Sequence, residues 1–103
     1  MIKLLMSWNI AEGREQAHLE YVTSEFVPAL MKHGAISDAW LSLGGTPEAP
    51  EMILGITSDE EIELRSFMQS NEWQELSAKL SRHVADFRYW FTNKIQNPGG
   101  FQM

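Results

Sequence analysis

From Ile2 to Ile10 the chain alternates, with Ile2, Leu4, Met6, Trp8 and Ile10 on one side and Lys3, Leu5, Ser7 and Asn9 on the other. A period of two over that length predicts a strand with one buried face. Ala11, Glu12 and Gly13 close it. Beyond Arg14 the period lengthens: Leu19, Val22, Phe26, Leu30 and His33 follow one stripe, widened by Tyr21, Val27 and Ala29. That spacing predicts an amphipathic helix with its apolar stripe turned to a core. Pro28 lies inside the stripe. Its ring and missing N–H oppose an unbroken helix, so a kink or a restart is expected, with Pro28 early in a second short segment. Gly34 is expected to end the helix as its C-terminal cap.

Ile36 to Leu43 reads as a second strand, with Trp40 opposite Ala39, Leu41 and Leu43. The turn formers of 44–50 join it to a third strand, Glu51 to Thr57. Ser58-Asp59-Glu60-Glu61 has the form of a capping box, the Ser58 hydroxyl accepting from the Glu61 N–H and the Glu61 carboxylate reaching back. Ile62, Arg65, Phe67 and Met68 continue that helix, and Ser70-Asn71-Glu72 is a second start signal. Trp73, Leu76, Leu80 and Val84 then form a stripe to about His83. Asp86 to Ile95, DFRYWFTNKI, is the fourth strand, and Asn97-Pro98-Gly99-Gly100 breaks it. The order β-α-β-β-α-β predicts one α+β domain over 1–103: a ferredoxin-like split βαβ, with a four-stranded antiparallel sheet and both helices on one face.

The fourth strand carries rings on both sides, Phe87, Tyr89 and Phe91 facing away from Arg88, Trp90, Thr92 and Lys94. Helices cover one face of such a sheet. Leu5, Ile53, Trp40 and Trp90 are left on the other. A cluster of large apolar side chains in water favours association. Two sheets packed face to face in a symmetric homodimer are therefore expected, with Arg88, Trp90 and Thr92 in the interface and Phe101 laid on the partner. The alternative is a monomer whose rings are covered by loops.

Four Trp, five Phe and two Tyr are a heavy aromatic load for 103 residues: either the core is ring-rich, or some rings serve an interface or a pocket. A net charge of −6 argues against nucleic acid and anionic membrane as partners. The most basic cluster, Lys79, Arg82 and His83, follows Glu72 and Glu75 on the same helix. The absence of cysteine excludes disulfides, thiol catalysis and iron–sulfur sites. The apolar stretch in MIKLLMSWN is too short for a signal peptide, and no run approaches a membrane span, so a cytoplasmic protein is expected.

The stretch SDEEIELRSFMQSNEWQEL, a capped start and then a serine-containing break before an aromatic, resembles the second helix of the dimeric α+β-barrel superfamily. Its antibiotic-biosynthesis-monooxygenase-like, ethyl-tert-butyl-ether-degradation-like and NIPSNAP-like relatives range from oxygenases and isomerases to proteins with no known activity. The resemblance spans nearly the whole chain. It implies a homodimer whose sheets form a barrel, a pocket between each sheet and its helices, and a C-terminal segment that reaches the partner. One branch degrades haem with an Asn on the first strand and a Trp and a His on the second helix. Asn9, Trp73 and His83 echo that set, but alignment on the serine break puts Phe67 and Ser77 at those helix positions, so haem degradation is not expected. Another branch is cofactor-independent and oxidises aromatic polyketides. By that likeness Ser7, Trp8, Asn9, Tyr21, Trp40, Phe67 and Tyr89 form the candidate pocket.

Each candidate also has a plainer reading: Trp8 as core, Tyr21 as a half-buried packing residue, Asn9 as a strand end. His18 is expected on a solvated or flanking face, and His33 and His83 near helix C-termini; their spacing is not that of a metal site. Asp59, Glu60 and Glu61 are read as helix-capping residues rather than acid–base groups. Arg88 and Lys94 either meet a ligand carboxylate or pair with Asp86, Asp38 or Glu51. No metal and no cofactor are expected. The best reading is a small homodimer whose apolar pocket binds a small aromatic or acyl ligand. The alternatives are a cofactor-independent monooxygenase and an assembly protein with no ligand.

Overall fold

The computed structural model describes residues 1–42 and 49–92. Leu43, most of the 44–50 turn, Lys94 and the segment ending in Phe101 lie outside the described residues. Strand β1 is Ile2–Ile10, followed by α1 (Glu15–Tyr21), a π-helical turn (Val22–Phe26) and α2 (Val27–Leu30) in one continuous run. Then come β2 (Ala35–Leu41), β3 (Met52–Ser58), α3 (Glu61–Phe67), α4 (Asn71–Leu80) and β4 (Val84–Thr92). The strands order as β2-β3-β1-β4 and every neighbouring pair is antiparallel. This is the ferredoxin-like α+β fold, with the helices on one face of the sheet. The central strands supply Ile2, Leu4, Met6, Trp8, Leu54 and Ile56 to the core, and the helices supply Val22, Phe26, Leu30, Leu64, Trp73 and Leu80.

Two irregularities decide which side chains face which way. Ile36 pairs with Ile56, but Asp38 pairs with Gly55, so Ser37 is an extra residue in β2. Period two alone would put Ile36, Asp38 and Trp40 on one face. The bulge resets the count: Ile36, Ala39 and Leu41 sit opposite the buried Ile56, Leu54 and Met52, and Trp40 joins Ile53 on the open face. In β4, Arg88 pairs with Ser7 but Ala85 pairs with Asn9, leaving Asp86 and Phe87 opposite Trp8. Asp86 takes a left-handed φ of 58°, a region that Asp tolerates better than most residues. Asn9 Nδ2 donates to its carboxylate at 3.3 Å.

The open face therefore carries one row of Trp40, Ile53, Ser7 and Arg88 and a second of Asp38, Gly55, Leu5 and Trp90. Lys3 Nζ reaches Asp38 at 2.6 Å across β3. Among the described residues Arg88 has no carboxylate partner. Asp38 is taken by Lys3, Asp86 accepts from Asn9, and Glu51 Oε1 accepts the Ile10 N–H at 2.8 Å.

The helix restarts as expected, with Pro28 early in a second short segment. Pro28 sits in the first turn of α2, where its missing N–H costs least. The strain is taken by the preceding π turn, closed by the Val27 N–H donating to the Val22 carbonyl. The Ser24 and Thr23 hydroxyls donate to the Glu20 and Leu19 carbonyls, at 2.5 and 2.8 Å. The helix ends at Leu30, before Gly34, which is not in the left-handed conformation of a cap. Gly34 instead lies against β3, where a Cβ would stand 2.6 Å from the Thr57 carbonyl oxygen. The capping box at Ser58 is also absent. The Ser58 hydroxyl accepts from the Glu60 N–H at 2.9 Å, and the Glu61 carboxylate turns to Arg65 at 2.9 Å. The second start signal holds: Ser70 caps α4 by accepting the Trp73 N–H at 3.2 Å.

The obstacle at Gly34 is backbone, which cannot swing aside as a side chain can. Gly34→Ala is expected to lower stability by about 1–3 kcal/mol, read from the urea unfolding midpoint; an unchanged midpoint would refute the tight approach.

Candidate functional site

Trp8 is fully buried on the helix face of β1. A buried indole N–H needs an acceptor. It finds one in His18, donating from Nε1 to Nε2 at 2.8 Å. Indole only donates, so Nε2 holds the lone pair and the neutral ring keeps its proton on Nδ1. His18, expected on a solvated or flanking face, is 1% exposed, whereas Leu19, expected on the buried stripe, is 51% exposed. The π turn is the physical reason. One extra residue per turn rotates everything upstream of it, so the inward series becomes His18, Val22, Phe26 and Leu30. Burial, and behind it the charge of His83, push the His18 pKa below that of a free imidazole; Glu51 opposes them.

His18 lies at a cavity of about 250 Å³ between α1 with its π turn and strands β2 and β3. Val22, Val27, Ile36, Ala39, Met52 and Leu54 make most of its wall. Leu19, Trp40 and Leu41 are its half-exposed members, where it meets solvent. Among the described residues that line it none is Lys, Arg, Asp or Glu, and besides His18 only Thr23 carries a polar side chain apart from the Trp40 indole.

Two further depressions are polar and more open. One, between α1 and α4, is lined by Glu20, Tyr21, Glu25, Lys79, Arg82 and His83. There the Tyr21 hydroxyl donates to the Leu76 carbonyl at 2.8 Å, and burial, aided by the Glu25 charge, pushes its pKa up to about 12. Arg14 donates to His83 Nδ1 at 3.0 Å. Burial, with the charges of Arg14 and Arg82, holds the His83 pKa below the usual range. The other depression joins His33, Phe67 and Glu72. His33 stacks on Phe67 with ring centres 4.0 Å apart and meets Glu72 Oε1 at 3.3 Å.

The seven candidate pocket residues lie in several places. Ser7 and Trp40 are on the open face, and Asn9 is at the end of β1, where its Oδ1 accepts the Glu51 N–H at 3.0 Å. Trp8 is core, and Tyr21 and Phe67 are buried in the helical layer. Tyr89 is half exposed at the β4 edge, with its ring 6.0 Å from that of Trp73. Of the seven, only Trp40 lines the apolar cavity. The interface candidates Arg88, Trp90 and Thr92 share the open face, and Phe101 is outside the described residues. Among the described residues no group of three or more His, Asp or Glu could hold a metal, and no helix is long and apolar enough to cross a membrane.

No family model and no curated protein matches the sequence. Solved structures match the fold. An uncharacterized NIPSNAP domain protein from Burkholderia xenovorans superposes with a TM-score of 0.66 at 12% identity, over 90% of this chain and 93% of its own. A NIPSNAP family protein from Agrobacterium tumefaciens gives 0.61 at 16% identity, over 88% and 82%. A second from that organism, of unknown function, gives 0.60 at 16% identity, over 89% and 86%. The chain thus has the ferredoxin-like α+β fold of NIPSNAP-domain proteins.

A histidine held below its unfolded pKa stabilises the fold fully above that value, roughly pH 6.5. As pH falls from there toward the folded pKa, the unfolded chain takes up the proton more readily and stability is lost. The melting temperature should therefore be level near pH 7–8 and fall toward pH 5. His18→Gln keeps an acceptor for Trp8 without the titration, and its fall should be shallower, His83 supplying the remainder. Thermal unfolding followed by circular dichroism across this range checks it; equal slopes would count against a buried neutral His18.

Proposed function

We propose that the chain is a homodimeric binding domain that holds a small apolar ligand, one per subunit, between the first helical layer and β2–β3. The apolar cavity at His18 carries this reading. Binding sites are concave and mainly apolar with few polar groups, and this wall has that composition. Its volume, about 250 Å³, falls just below the roughly 300–1,000 Å³ of sites for drug-sized ligands. A single ring or a short acyl chain suits it.

Support for the dimer comes from the open face. Trp40 and Trp90 are 54% and 46% exposed there, with Leu5 and Ile53 between them. Packing two such faces together removes a patch that monomers seldom leave in water. The cofactor-independent oxygenase reading has less behind it. It needs polar groups arranged around the substrate, and the hydrogen-bonding candidates Trp8, Asn9 and Tyr21 already spend their bonds on His18, Glu51, Asp86 and Leu76.

Sedimentation at micromolar concentration should give a dimer, and Trp90→Glu should release the 11.8 kDa monomer; a monomeric wild type would end the dimer reading. Titration with α-methylstyrene should shift the Val22 and Leu54 methyl resonances saturably, and Ala39→Phe, which fills the cavity, should abolish the shifts. Without saturable shifts in the wild type the binding reading fails.

A further inference from the structure

Within the proposed apolar site, on which this step rests, we infer that His18 selects the ligand: the site takes a neutral molecule with a carbonyl oxygen on an apolar body, and that oxygen accepts a hydrogen bond from His18 Nδ1–H. Three observations lead here. First, the Trp8 indole holds Nε2 as the acceptor, so Nδ1 is the donor of the neutral ring. Second, every fully enclosed side-chain N or O among the described residues has a partner, while none of those residues bonds Nδ1. Nδ1 therefore sits on the small part of a 1% exposed ring that remains open, and that ring lines the cavity. Third, the described residues of the wall include no Lys or Arg. A carboxylate placed there would lose its hydration with no cation to replace it, whereas a carbonyl needs one donor and finds one.

Trp8 is a positioning residue in this scheme. It touches no ligand but fixes which imidazole nitrogen carries the proton. A purely hydrocarbon ligand would fill the cavity and leave the Nδ1–H without a partner, which is the basis of discrimination.

The test compares acetophenone with α-methylstyrene, which replaces the carbonyl oxygen by CH₂, and with benzoate. Acetophenone should bind the wild type about tenfold more tightly than α-methylstyrene, and benzoate should bind more weakly than either. In His18→Leu the tenfold preference should vanish while α-methylstyrene still binds. Should that variant fail to fold, the wild type labelled with ¹⁵N-histidine decides. Acetophenone should shift the His18 Nδ1–H resonance and α-methylstyrene should not. Equal binding of acetophenone and α-methylstyrene overturns the carbonyl preference and leaves the cavity reading intact. Tightest binding of benzoate overturns the neutrality of the ligand. Binding of none of the three overturns the cavity reading and this inference with it.

Discussion

One buried donor organises the helix face of the sheet. The Trp8 ring fills the centre of the core, within about 6 Å of Phe26 and Phe87, and its N–H cannot be left unpaired there without a cost comparable to a lost hydrogen bond. His18 meets that need only if α1 presents residue 18, rather than 19, to the sheet. An inward series of His18, Val22, Phe26 and Leu30 repeats every four residues, and an α-helix of 3.6 residues per turn would carry it steadily out of register. The π turn absorbs the mismatch. Core satisfaction, helix irregularity and the polar end of the cavity are thus one arrangement seen from three sides.

This also marks how far the sequence could be read. Strand alternation in β1, the second helix start at Ser70 and the order of elements were legible, because each depends on local period or a local cap. The faces of β4 were legible too: Tyr89 and Phe91 lie opposite Met6 and Leu4, and Trp90 opposite Leu5. The burial of His18 was not. It depends on a helix winding that a 3.6-residue template does not contain, and the signal that could have exposed it was the strict spacing of four. Gly34 was recognised as necessary for the wrong reason. A glycine after a helix suggests a cap, but the demand came from a strand distant in sequence.

The candidate site was less legible than the fold for a related cause. Ser7, Trp8 and Asn9 are neighbours in sequence, but a strand sends them to different faces, and each meets a different set of partners. Rings and amides can be counted in a sequence; which of them share a space depends on bulges. The extra residue at Ser37 sets the face of Trp40, and the pair Asp86–Phe87 opposite Trp8 sets the end of β4 near Asn9. Cavities, unlike strands, have no period.

Gly55 stands beneath the Lys3–Asp38 pair, and a methyl group there would come within 2.7 Å of the Asp38 carboxylate and 3.1 Å of Leu5. The Lys3 hydrogen bond, with help from Ser37 and against the cost of burial, holds the Asp38 carboxyl below its ordinary pKa. A charge clasp from β1 to β2 is thus possible because the strand between them bears no side chain at that point. Residues 3, 38 and 55 therefore constrain one another's evolution. A larger residue at 55 becomes admissible once the clasp has gone, and the clasp is readily regained only while 55 remains glycine, so the order in which the three positions change matters as much as the changes themselves.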